Sequence, residues 1–246
     1  MQPPFSLAAP FARAYLRRMK TARLAILSLA ALAAAAPAFA EDAVGDWIGQ
    51  VKTPGGVELS LAAHLRKAAD GTLEGYAESP DQSPMTLAMA ELMATSETLD
   101  FSLPLVRAKY AAKWDPATRA WVGTLTQGGA AMPLNLTRGV APPRPVVPGL
   151  DGAWSGTVAA PQGELRLELA VKTDAGGTLA TFKSPDQSPL PLVAHLKRAG
   201  DDVGFELRGI AEFAGKLSAD GATITGEWKQ GGATLPVTFR RGGQGA

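Results

Sequence analysis

Leu165-Arg166-Leu167-Glu168-Leu169 alternates apolar and charged residues without a break, and Val57-Glu58-Leu59-Ser60-Leu61 follows the same pattern earlier in the chain. A period of two places every second side chain on one face, as a half-buried β-strand requires; a helix would repeat its apolar residues every three to four positions. Leu99-Asp100-Phe101-Ser102-Leu103 and Phe205-Glu206-Leu207-Arg208 alternate in the same way. Turn signals punctuate these runs: Pro54-Gly55-Gly56, Asp70-Gly71, Asp115-Pro116 and Gly128-Gly129, then Gly176-Gly177, Asp220-Gly221 and Gly231-Gly232. Short alternating strands between regularly spaced turns predict an all-β sandwich or barrel.

The pattern occurs twice. Gly45-Asp46-Trp47-Ile48-Gly49 answers Gly152-Ala153-Trp154-Ser155-Gly156, and Ser79-Pro80-Asp81-Gln82-Ser83-Pro84 recurs unchanged at Ser184–Pro189. Gln127-Gly128-Gly129 answers Gln230-Gly231-Gly232, Pro133 answers Pro236, and Arg138 answers Arg241. Eight strands are expected in each copy. They begin near Val44, Val57, Thr72, Met85, Glu97, Ala108, Ala120 and Ala131, and near Asp151, Glu164, Thr178, Leu190, Val203, Ala211, Thr223 and Ala233. Short loops make sequence neighbours antiparallel neighbours, and an eight-stranded meander can close on itself and lose its exposed edges. The expected fold is therefore all-β: two tandem small antiparallel up-and-down β-barrels of about eight strands each. Met85–Ser96 is the weak point, because Leu87, Met89, Leu92 and Met93 do not alternate cleanly and a helix competes with a strand there.

The expected organisation is a signal peptide over residues 1–40, a first repeat over 41–139, a proline-rich linker over 140–150 and a second repeat over 151–246. Arg13, Arg17, Arg18, Lys20 and Arg23 precede the apolar run Leu24–Ala36, and Ala38-Phe39-Ala40 fits a small-x-small cleavage site. Met19-Lys20 opens a complete signal by itself and is an alternative start. Cleavage leaves 19 Lys+Arg against 23 Asp+Glu, a net charge of −4. No basic cluster then remains to follow phosphates, which argues against a nucleic-acid partner, and no stable membrane span remains either. The expected location is periplasmic or secreted. Pro142, Pro143, Pro145 and Pro148 make the linker an extended, semi-rigid spacer.

With no cysteine, disulfides and thiol catalysis are excluded. His64 and His195 sit at non-equivalent places in apolar strands, so a zinc site is not expected; nor is any other metal or cofactor. The glycine pairs lack the lysine and helix start of a phosphate loop. Neither a Gly-x-Ser-x-Gly elbow nor a Ser-x-x-Lys motif occurs, so no catalytic residue is assigned and the chain is read as non-catalytic.

Two sets of residues stand out. Trp47 and Trp154 open the first strand of each copy, and Arg138 and Arg241 close the last. In a closed barrel those strands are adjacent, and a guanidinium over an indole would plug one end. The second set follows from strand parity. In a meander the odd-numbered connections share one rim, and these carry Ser79, Asp81, Gln82 and Gln127 in the first copy and Ser184, Asp186, Gln187 and Gln230 in the second. This rim is either a lid in which Asp81 and Gln82 satisfy neighbouring loop amides and Gln127 bridges them, or the mouth of a binding site. Its carboxylates leave an unrecognised hydrolase as a further alternative.

Gly-x-Trp in the first strand with Arg in the last resembles the lipocalin-type (calycin) barrels. The longer order of Trp-x-Gly, Ser-Pro-Asp-Gln, Gln-Gly-Gly and a final Arg resembles a β-barrel module of bacterial exported proteins. That module often precedes serine hydrolases of the α/β-hydrolase or β-lactamase-like type. The resemblance runs twice, from Val44 to Arg241, although Tyr110 and Trp114 stand where the second copy has Phe213 and Leu217. It implies an accessory module without the hydrolase. The partner this implies is a separate exported hydrolase; the barrels themselves, which can be filled by side chains or hold one ligand, leave a small hydrophobic molecule inside a barrel or at its rim as the other expected partner.

Overall fold

The computed structural model describes residues 41–160 and 163–242. The leader expected at residues 1–40 lies outside the described residues. Two nine-stranded antiparallel sheets follow one another, each rolled into a nearly closed barrel. The first contains β1 (Gly45–Lys52), β2 (Glu58–Lys67), β3 (Leu73–Ser79), β4 (Ser83–Ala88), β5 (Ala90–Ala94), β6 (Thr98–Leu103), β7 (Ala108–Asp115), β8 (Ala120–Gln127) and β9 (Ala130–Arg138). The second contains β10 (Gly152–Ala160), β11 (Gly163–Asp174), β12 (Gly177–Ser184), β13 (Ser188–Val193), β14 (His195–Ala199), β15 (Asp202–Leu207), β16 (Ala211–Leu217), β17 (Thr223–Gln230) and β18 (Ala233–Arg241).

The first and last strands of each copy pair antiparallel, Trp47 opposite Arg138 and Trp154 opposite Arg241. Nine strands arise instead of eight because the fourth strand is broken. Met89 turns its N–H to Gly75 O (3.0 Å), and Glu91 adopts φ 52°. Before this break the strand pairs with β3; after it the strand pairs with β6. In the second copy Ala194 makes the same excursion, donating to Ala180 O (2.8 Å). Covalent continuity through the bend therefore joins the two sheet edges. The bend also explains the imperfect alternation of Met85–Ser96. Leu87 and Met89 face the core before it and Leu92 and Ala94 after it, so the inward set changes parity rather than period.

Inward positions fill both barrels. In the first, Trp47, Trp114 and Trp121 meet edge to face, with centroids 5.0–6.0 Å apart. The Tyr110 hydroxyl lies within hydrogen-bond reach of Trp121 O (3.0 Å) and Leu134 O (3.2 Å), and burial pushes its pKa well up. In the second, Phe182 stacks on Trp228 (5.0 Å) and Phe213 meets Phe205 and Phe239. The copies thus fill equal space differently. Where Trp121 fills one layer the second copy has Ile224, and Trp228 restores the bulk where the first has Leu125.

The Trp-x-Gly motif has a packing cause. A Cβ on Gly49 would lie 2.2 Å from Asn135 O, and one on Gly156 would lie 2.9 Å from Thr238 O. Only glycine lets the first strand approach the last this closely.

The proline-rich segment differs from a free spacer. It docks on the second barrel. Arg144 N donates to Gly176 O, Thr178 N to Pro145 O and Val147 N to Thr178 Oγ1. Val147 and Leu150 are buried in the second core. The prolines supply extended geometry and leave few N–H groups needing partners, so an irregular segment can lie on a barrel at little cost.

Candidate functional site

The tryptophan–arginine pairs sit at the end of each barrel where the chain leads into the first strand. The Arg138 guanidinium carbon lies 4.1 Å from the Trp47 ring centroid, and that of Arg241 lies 4.2 Å from Trp154. Each arginine also clamps the incoming segment. Arg138 donates to Val44 O and Asp42 O; Arg241 donates to Asp151 O, Gly149 O and Gly221 O. The indole N–H groups complete the fixture by donating to Ala43 O and Leu150 O, both at 2.8 Å. Both indole N–H groups and both ends of each guanidinium fork are engaged within the barrel end, so this pair shapes the fold.

The opposite ends carry the repeated turn. Ser79-Pro80-Asp81-Gln82 is a β-turn closed by Gln82 N to Ser79 O (2.9 Å), and Gln187 N to Ser184 O (2.9 Å) closes its counterpart. Proline at the second position presets φ, and the third position keeps φ negative, as in a type I turn. The aspartate has the same local task in both copies. Asp81 Oδ2 accepts from Ser60 N (2.7 Å), and Asp186 Oδ2 accepts from Arg166 N (2.7 Å), capping a backbone donor of the neighbouring strand. The recurrence of Asp in the motif follows from this bond.

The copies then diverge at one residue. In the second, the Arg166 side chain folds onto Asp186, with Nη2 to Oδ1 at 2.7 Å. That hydrogen bond holds the Asp186 carboxyl below the usual carboxylate range. In the first, the equivalent residue is Ser60, too short to reach. Asp81 is instead met by the other barrel: Arg208 Nη1 lies 3.3 Å and His195 Nε2 3.7 Å from Oδ1. His195 Nε2 also lies 3.0 Å from the Asp81 carbonyl, which fixes Nε2 as the protonated nitrogen of the neutral ring. Val193 N donates to Gln82 O (2.8 Å) and Arg208 to Glu58 O (3.2 Å). The Asp81 side chain is 12 % exposed against 29 % for Asp186. One turn joins the barrels; its twin faces outward.

The other rim residues do not gather around Asp81. Ser79 Oγ reaches Gln82 Oε1 (3.0 Å) and Ser60 O (3.3 Å). Gln127 donates to Val106 O (2.9 Å), in the connection between β6 and β7, and not to the Ser-Pro-Asp-Gln turn. Gln230 accepts from the Trp228 indole (3.2 Å), and Ser184 Oγ is buried without a hydrogen-bond partner among the described residues. Gly128-Gly129 and Gly231-Gly232 adopt positive φ at both positions of a two-residue hairpin loop, which accounts for the glycines.

A groove of 540 Å³ opens beside the Asp81 contact, between the first barrel's rim, the docked linker and β14. Ser60, Pro80 and Asp81 form one side, Pro142 to Val147 another, and Val193 to Arg198 with Arg208 the third. Its volume falls within the range of small-molecule sites. Sequence reasoning pointed to Asp81 but missed His195, Arg208 and Arg144, because nothing local signals that two repeats meet at these positions. Ser60, His195 and Asp81 share this groove, yet Asp81 is committed to the Ser60 amide and Arg208. No hydrogen bond among the described residues joins Ser60 Oγ to His195, as a nucleophile–base pair would need. His64 lies apart, on the outer face of β2, bonded to Asp46 (2.7 Å) and stacked on Tyr76 (4.5 Å).

No protein-family model matches the chain, and no curated protein does. Among solved structures, a protein of unknown function from the DUF3598 family of Nostoc punctiforme is 12 % identical, with a TM-score of 0.27. The match covers 82 % of this chain and 97 % of that one. A candidate outer membrane protein of Bacteroides fragilis is 11 % identical at TM-score 0.24, covering 80 % and 95 %. Kievitone hydratase from Nectria haematococca is 11 % identical at TM-score 0.22, covering 83 % and 91 %. Likeness at these scores carries no argument about function. Among the described residues no helix is long and apolar enough to cross a membrane.

Proposed function

We propose that the chain is an exported, non-catalytic binding protein, periplasmic or secreted, whose ligand sits in the groove between its two barrels. The carrying observation is the groove itself: it is built from both repeats and the linker, and it contains polar groups beside apolar walls. Packed aromatic interiors support a site between the barrels over one inside them. The calycin-like strand order and the absence of a nucleophile motif favour binding over turnover. A hydrolase-docking role is the second reading, favoured by the outward-facing Ser184–Pro189 turn, whose aspartate is already paired within its own barrel.

Native mass spectrometry of protein purified from its own host tests the reading. A retained small-molecule adduct, absent from a Val146→Trp variant that fills the groove, is expected. Co-purification of a hydrolase with no adduct would favour docking instead. Turnover of an ester or glycoside panel, abolished by Ser60→Ala or His195→Ala, would overturn the non-catalytic reading.

A further inference from the structure

We infer that the groove takes an amphipathic anion, a molecule with a carboxylate or phosphate head and a short apolar body. This rests on the groove being the binding site and adds the chemistry of what enters it. The mature chain expected from the sequence is net negative, 19 Lys+Arg against 23 Asp+Glu, yet the groove is not. Arg144, Lys197, Arg198 and Arg208 line it together with His195, and the single carboxylate among its lining residues is Asp81.

The cations divide into structural and free. Arg208 is engaged by Asp81 and the Glu58 carbonyl. Arg198 donates to Pro148 O (2.9 Å) and Gly200 O (2.8 Å), which pins the linker to the second barrel. Arg144 and Lys197 are exposed, and none of the ion pairs among the described residues engages either. Two cations outside any ion pair, one on the linker and one on β14, form an anion-attracting field, strengthened by the low-dielectric walls. The walls supply the rest of the selectivity. Pro142, Pro143 and Val146, the last 64 % exposed, present an apolar ridge along the linker, over a floor of buried Val147, Val193 and Ala194. A hydrophilic anion would leave that ridge wet, and a neutral apolar molecule would leave the cations without partners. An amphipathic anion satisfies both.

Calorimetric titration of the mature chain with decanoate, decyl phosphate, 1-decanol, decyltrimethylammonium and acetate separates the possibilities. Decanoate or decyl phosphate is expected to saturate one site, at least ~10-fold tighter than decanol or the cationic amphiphile, a difference of ~1.4 kcal/mol. Acetate should not bind measurably. Arg144→Glu with Lys197→Glu should weaken the anion ~10-fold or more with an unchanged melting temperature, and raising the salt should weaken it too. The tighter of the two anions names the head group. Equal affinity for decanol, or indifference to the charge reversals, overturns the anion inference and leaves the groove reading standing. Absence of binding by every amphiphile, or binding untouched by Val146→Trp, overturns both. Saturation by an oligoglutamate peptide that decanoate cannot displace overturns the small-molecule ligand.

Discussion

Replacing Arg241 by methionine removes the clamp at the end of the second barrel while keeping an apolar stem over Trp154. Three hydrogen bonds disappear: Nε to Gly221 O at 3.0 Å, Nη1 to Asp151 O at 2.5 Å and Nη2 to Gly149 O at 2.9 Å. These carbonyls lie at a barrel end where water can replace part of the loss, so about 1 kcal/mol each is the appropriate scale. The guanidinium 4.2 Å from the indole centroid adds ~0.5–2 kcal/mol. The total is about 3–5 kcal/mol. For a domain of about 95 residues each kcal/mol moves the melting temperature by ~4–8 °C, so a fall of at least ~12 °C is expected. Arg241→Lys should lose about 2 kcal/mol, because an ammonium keeps the ring contact and one carbonyl but cannot fork to three. Differential scanning calorimetry of the two variants, with Arg138→Met as the matching change in the first barrel, measures this. A methionine variant within ~1 kcal/mol of the parent, or a lysine variant equal to it, would refute the fork-and-stack account.

A double-mutant cycle of Asp81→Asn and Arg208→Gln in urea should give a coupling of about 0.5–2 kcal/mol, since the pair is half-buried and spans the barrels; zero coupling would mean the junction is held by its backbone bonds alone. Gly226→Ala places a Cβ 2.1 Å from Ala214 O and 2.4 Å from Gly215 Cα, and should cost ~2–4 kcal/mol by denaturant titration. Hydrogen bonds to Thr72, Thr118, Arg166 and Ser218 depress the carboxyls of Asp70, Asp115, Asp186 and Asp220 respectively. Their contribution is therefore complete above the unfolded value of ~3.9 and is lost as the pH falls through the lower folded values. The melting temperature should fall as the pH drops below about 4, and a flat profile from pH 5 to 2.5 would contradict these turn contacts. Cleavage of the leader expected at residues 1–40 should leave Glu41 as the first residue, which intact mass will show directly.

Period, repeat and turn chemistry carried most of the fold. The alternation of Leu165–Leu169 marks β11, and Gly128-Gly129 and Gly231-Gly232 mark hairpins that need positive φ at two successive positions. The residues opposite each other at closure, Trp47 and Arg138, are readable because a meander has only one way to bring its ends together. The broken fourth strand was not legible. A parity change at Met89 looks like lost periodicity until the partner strands on each side are known. The linker also hid its role. Four prolines signal extension, but only the receiving carbonyl of Gly176 and hydroxyl of Thr178, in the turn before β12 and in that strand, make it part of the second barrel. For the site, local physics identified Asp81 and stopped there, because Arg208 lies in the turn after β15 and His195 opens β14 just past the break, and neither position announces a partner in the other repeat.

The difference between Ser60 and Arg166 gives the duplication its functional sense. Both aspartates must cap the same strand amide, so neither can be dispensed with. A carboxylate that caps an amide still carries a charge, and that charge needs a cation. Where the neighbouring strand offers Arg166, the demand is met inside the barrel and the turn stays outward-facing. Where it offers Ser60, the demand passes to the other repeat, and Arg208 answers it. A single side-chain length therefore decides whether the repeated turn finishes one barrel or joins two. Asp81 absorbs Arg208 at that joint and Arg198 is spent on holding the linker, while Arg144 and Lys197 stay uncommitted. The junction that assembles the protein leaves its surplus positive charge facing the groove, and neither repeat alone could build that arrangement.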